Sequence, residues 1–158
     1  MTFHRLVLMS AAAAALAFAG SAAIADPPAK ADAPAMQPVQ LPDPPAGKGQ
    51  IVFYRKPLFS IIPFNWHVHE GKNAICEMIA ATYCVATVDP GTHTYAVWTE
   101  VKNVLTLEID AGETYYVIGG ISMGVVVNHP TIAPAEKAQF DAISARLKSH
   151  PAEPPPAT

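Results

Sequence analysis

The chain has 158 residues, 51% hydrophobic and 15% charged, with 16 prolines, two cysteines and a formal net charge of −3. That length bounds one domain with one core. With no basic block longer than Arg55-Lys56, nucleic acid and anionic lipid are poor partners on electrostatic grounds.

The first 25 residues read as a secretory signal peptide. Thr2-Phe3-His4-Arg5 makes a short basic start, residues 6–18 are an alanine-rich apolar run, and Ala23-Ile24-Ala25 supplies a small-x-small cleavage site. The run is too short to span a bilayer and no stop-transfer pattern follows, so the mature chain is expected to begin at Asp26 and to have no transmembrane segment. The signal holds one Arg and no acid, so the remainder keeps nine basic residues against 13 acidic ones, a formal charge of −4. Export to the periplasm, or beyond it, follows as the expected localisation. Residues 26–46 contain seven prolines in 21 positions and are expected to be a disordered, extended leader. Residues 149–158, with four more prolines, are expected to be a disordered tail.

Residues 47–148 carry the folded domain, and its pattern is β for most of its length. Residues 50–55 form a β-branched and aromatic run ended by Lys56-Pro57. Residues 64–69, 74–79 and 83–88 follow, and then Asp89-Pro90-Gly91 supplies a turn. Residues 92–101 alternate, with His93, Tyr95, Val97 and Thr99 on one side and Thr94, Ala96 and Trp98 on the other. Residues 104–109 point Leu105, Leu107 and Ile109 inward, and residues 114–118 and 121–127 complete the set. Residues 133–148 read as an amphipathic helix with Pro134 at its first position, a stripe of Phe140, Ile143 and Leu147, and Arg146 and Lys148 in the last turn. About eight short strands at regular spacing predict an all-β fold, a single antiparallel β-sandwich with one C-terminal helix. Cys76 and Cys84 fall in adjacent strand-like runs across a turn, and in an oxidising compartment they are expected to form a disulfide.

Two segments have a recognisable cast: Val88-Asp89-Pro90-Gly91-Thr92-His93-Thr94, and Ile109-Asp110-Ala111-Gly112-Glu113-Thr114-Tyr115-Tyr116-Val117. A Pro-Gly-x-His turn followed by Ala-Gly-x-Thr-Tyr-Tyr resembles an uncharacterised family of small bacterial envelope proteins, often lipoproteins, classed only as a domain of unknown function. The opening strand Ile51-Val52-Phe53-Tyr54-Arg55 fits its start, so the resemblance covers residues 50–127. The hairpin pattern is also similar to PEGA-type surface domains, without their closing Gly-Tyr motif. The resemblance implies an envelope β-sandwich with no catalytic residues to carry over. This chain lacks the lipidated Cys of the lipoprotein members, which favours a free periplasmic form.

Few residues carry chemistry. His67 and His69 share one strand face, so both imidazoles could meet one metal, although the sequence names no third ligand. Gly120-Ile121-Ser122-Met123-Gly124 matches the nucleophile-elbow pattern, but strand-like residues follow it and the domain is too short for the fold that uses it. No catalytic residue and no cofactor is therefore expected. The connection from Leu58 to Phe64 is unusually apolar, and Leu58, Phe59, Ile61, Ile62 and Phe64 are the expected contact residues for an envelope protein or another envelope component. The sequence thus points to an exported, non-catalytic binding or structural module of the envelope. The alternative is a small-ligand or metal-binding periplasmic protein that uses His67 and His69.

Overall fold

The structure, a computed structural model, describes residues 37–57, 64–123 and 128–153. Among these residues the elements in chain order are β1 (Gly49–Arg55), β2 (Trp66–Glu70), β3 (Asn73–Met78), β4 (Thr82–Val88), β5 (Gly91–Trp98), β6 (Lys102–Ile109), β7 (Thr114–Ser122), β8 (His129–Ala135), α1 (Lys137–Ser144) and β9 (Lys148–Ser149). The strands make two sheets, ordered β8-β7-β1-β4-β9 and β3-β2-β5-β6. The four-stranded sheet is antiparallel throughout, whereas the five-stranded sheet is mixed, with β1–β7 and β4–β9 parallel. The mostly-β, sandwich-like architecture expected from the strand pattern is the one observed.

β1 organises the molecule. All seven of its residues are buried, because each face of the strand meets a different apolar layer. Ile51 and Phe53 point between the sheets, into a core with Trp66, Val68, Met78, Tyr95, Val97 and Val117. Val52 and Tyr54 point outward and meet Phe140 and Leu147. Alternation thus places one strand's side chains in two cores. The Phe140 ring sits 5.3 Å from Tyr54, 5.4 Å from Tyr116 and 5.7 Å from Tyr83, which pins α1 to the outer face of the five-stranded sheet.

Cys76 of β3 and Cys84 of β4 form a disulfide, with Cα atoms 6.5 Å apart. The two strands belong to different sheets, so the bridge ties the layers together at one edge. Arg55 makes a second tie. Its guanidinium lies 4.1 Å from the Trp66 ring centre and donates to the carbonyl oxygens of Phe64 (2.6 Å) and Met78 (3.1 Å).

Four boundaries differ from the sequence reading, three of them for a tertiary cause. The helix spans Lys137–Ser144 and not residues 133–148, because residues 129–135 pair as β8 along β7. Pro134 is consequently a strand residue; proline is tolerated there because β8 is an edge strand. Gln139 Oε1 accepts the Glu136 N–H at 3.0 Å and so fixes the helix start. Residues 37–46 of the leader are not a free spacer. Val39 and Leu41 pack on the outer core, Val39 N–H donates to Ser144 Oγ (3.0 Å), and Gln50 Nε2 donates to Pro42 O (3.0 Å). Residues 149–153 of the tail are likewise held. His150 N–H donates to Tyr83 O (2.8 Å), Glu153 N–H donates to Ile75 O (2.9 Å), and Ala152 packs on the inner core. Ile121 and Ser122 end β7 and do not start a further strand, and residues 124–127 lie outside the described residues.

Candidate functional site

Exposed apolar side chains are informative when they gather. The large hydrophobic residues most open to solvent among those described are Met123 (90%), Val101 (55%), Val104 (50%) and Trp98 (43%). Topology brings all four to one end of the sandwich. Trp98 closes β5 and pairs with Lys102 at the start of β6, with Val101 in the turn between them and Val104 two residues further along. Met123 follows Ser122, whose partner in β8 is His129, and His129 Nδ1 lies 3.3 Å from Thr99 Oγ1 in the same turn. The β5–β6 turn and the end of the β7–β8 pair therefore form one apolar tip.

Trp98 is held in place there. Its ring lies 4.3 Å from the His69 imidazole with 34° between the planes, so β2 supports it from beside. Gly71, Trp98, Thr99, Glu100 and Lys102 line a hollow of about 320 Å³ at this point. An aromatic side chain supported in one orientation loses little conformational freedom when a partner covers it. Alternation along β5 identifies Trp98 as outward-facing, but the convergence of the β5–β6 and β7–β8 connections is a tertiary fact that no local pattern carries.

His67 and His69 do share a face, with ring centres 6.1 Å apart and a bulge in the β2–β3 ladder between Val68 and His69. Their polar contacts diverge, however. His67 Nε2 lies 3.1 Å from Glu153 Oε1, while His69 Nδ1 lies 3.2 Å from His67 O as its ring stacks on Trp98. Among the described residues no group of three or more His, Cys, Asp or Glu is placed to hold a metal ion. The neighbouring pair of His150 Nε2 and Glu77 Oε2, at 3.7 Å, joins the His67–Glu153 contact in fastening the tail across β3.

His93, from the Pro-Gly-x-His turn, has a bracing role. Its Nδ1 lies 2.6 Å from Glu70 Oε1 and its Nε2 lies 2.8 Å from Asp89 O. The side chain links the end of β2 to the turn entering β5. At that turn, Lys48 Nζ reaches Asp89 Oδ1 at 2.5 Å and holds the Asp89 carboxyl below its ordinary range.

The other residues read from the sequence divide clearly. Leu58, Phe59, Ile61 and Ile62 lie outside the described residues. Phe64 is half-buried against the inner core, 5.5 Å from Trp66, so its ring serves packing. Gly120, Ile121 and Ser122 belong to β7, and Gly124, which completes the pattern, lies outside the described residues. No family model matches the chain, and no curated protein or solved structure matches it.

Proposed function

We propose that this chain is an exported binding module of the cell envelope that acts without catalysis and docks an envelope protein through the apolar tip formed by Trp98, Val101, Val104 and Met123. The observation that carries this reading is the gathering of those four exposed side chains at one end, with Trp98 braced by His69. A protein partner is favoured over an anionic membrane by the formal charge of −4 left after the first 25 residues and by Glu100 beside Trp98, both of which repel anionic headgroups. The inter-sheet disulfide suits an oxidising compartment, and among the described residues no helix is long and apolar enough to cross a membrane. The envelope setting also accords with the signal-like first 25 residues and with the resemblance to envelope β-domains.

The test is cross-linked capture from the native envelope fraction, followed by direct binding of the purified partner to wild type and to a Trp98→Ser/Val101→Ser variant. Both positions are exposed, so the variant should keep its melting temperature, and the expected loss of affinity is about tenfold or more. Undiminished binding by a folded variant, or no partner enriched over a tag-only control, would overturn the reading. Binding that needs carbohydrate or lipid and no protein would overturn its protein-partner part.

A further inference from the structure

The two sheets present four edges, and three are guarded. β8 carries Pro130 and Pro134, and its Ile132 N–H is taken by Asn103 Oδ1 at 2.9 Å. β3 is crossed by the tail, whose Glu153 N–H bonds Ile75 O. β9 is two residues long. Proline, a covering segment and shortness are the ordinary means of stopping edge-to-edge pairing. Among the described residues β6 has none of these three. It is eight residues long, Lys-Asn-Val-Leu-Thr-Leu-Glu-Ile, without proline or glycine, and it pairs in unbroken register with β5 from Gly91↔Ile109 to Trp98↔Lys102. Its other edge has no backbone partner among the described residues.

The sequence of β6 is also complementary to itself. In an antiparallel pair, residues directly opposite must point to the same face, so a two-fold axis has to pass through a residue and not between two. With the axis at Leu105, Lys102 faces Glu108 at both ends of the ladder and Val104 faces Thr106 on the exposed side. Leu105 faces its own copy on the core side. Moving the axis by one step loses this match. An axis at Val104 sets Glu100 against Glu108, and one at Thr106 sets Val104 against Glu108 and moves the position opposite Lys102 to Asp110, past the end of the strand. Lys102, Val104, Thr106 and Glu108 are all exposed, while Leu105 and Leu107 are half-buried and would lose their remaining solvent contact.

We infer that β6 is the homodimer interface of this protein, pairing antiparallel with β6 of a second copy about Leu105, so that the two four-stranded sheets join into one of eight strands with Lys102–Glu108 ion pairs at both ends. The interface is isologous, so it closes at two copies and leaves no further edge of this kind for a third. Opposite charges directly across a ladder favour the register, and like charges oppose it.

The design of the test follows from the symmetry. In the dimer, Lys102→Glu places a like-charged pair at each end, and so does Glu108→Lys, whereas equal parts of the two variants restore both attractive pairs. The full chain, expressed with its own N-terminal segment and purified, is followed by sedimentation velocity over a wide concentration range, with melting temperature as the check on folding. The expected result is a reversible wild-type dimer, weakening by about tenfold or more in each variant, and recovery in the mixture and in the Lys102→Glu/Glu108→Lys double variant. A wild-type monomer at every concentration overturns the inference, and so does a dimer indifferent to both variants. Should a variant fail to fold, hydrogen exchange on wild type decides. Amides of β6 that gain protection as concentration rises support the interface, and unchanged protection overturns it.

Discussion

Tyr95 shows how a single buried group can set a pH limit. Its ring is fully buried, 5.3 Å from Phe53, and its hydroxyl has no hydrogen-bond partner among the described residues. Burial, with the Glu70 charge adding to it, pushes the phenol well above its ordinary value. The folded protein therefore resists losing this proton while the unfolded chain gives it up near pH 10. The stabilisation is complete below about pH 10 and is lost as pH rises from there towards the folded value. Tyr95→Phe should extend the alkaline limb of the stability curve to higher pH. Near neutral pH it should be neutral or stabilising by up to about 1 kcal/mol, because an unpaired buried hydroxyl costs and its removal leaves the ring packing intact. Urea unfolding at a series of pH values measures both effects; an unchanged alkaline limb would show that Tyr95 does not set it.

Among the elements, α1 and the Cys76–Cys84 bridge contribute most for their size. Phe140 is the helix residue that fills the outer core, and Phe140→Ala should cost about 3–5 kcal/mol, read as a fall in the denaturation midpoint with far-UV signal of the sheets retained. Reducing the disulfide, or making Cys76→Ser/Cys84→Ser, should cost about 2–3 kcal/mol for a loop this short, since the bridge restrains the unfolded chain. A reduced protein with the same midpoint as the oxidised one would contradict that figure. Elements of this kind differ in how legible they are. The alternation of β5 and β6 and the Pro-Gly and Ala-Gly turns declare themselves within a few residues, as do the cysteines on neighbouring strands. β8 does not, because Pro130 and Pro134 mimic a loop and a helix start until an edge position beside β7 makes them tolerable. The packing of Val39 and Leu41 is hidden for a similar reason. A proline-rich segment reads as spacer unless a groove elsewhere in the fold is shaped to receive it.

At the scale of the whole molecule, the layers were readable and their assembly was not. Short alternating runs and turn chemistry imply two packed sheets. The parallel pairing of β1 with β7 has no local signature, since nothing in either strand names a partner so far along the chain. The apolar tip follows the same rule, because it exists only once the β5–β6 turn and the β7–β8 pair are brought side by side. The His67–His69 spacing, conspicuous in sequence, resolves instead into two contacts with different neighbours, Glu153 and Trp98.

The central position of β1 has a kinetic side. Gln50 and its neighbour Thr114 in β7 are 64 residues apart, so the most deeply buried strand is made early and must wait for that whole stretch of chain before its parallel neighbour exists. Contacts of such high order are slow to close. In the meantime the antiparallel partner β4 covers one side of Ile51-Val52-Phe53-Tyr54, and the remaining side stays open to the wrong strand. The same strand that gives the finished molecule its two cores is thus the segment most in need of shelter while the polypeptide is still being delivered.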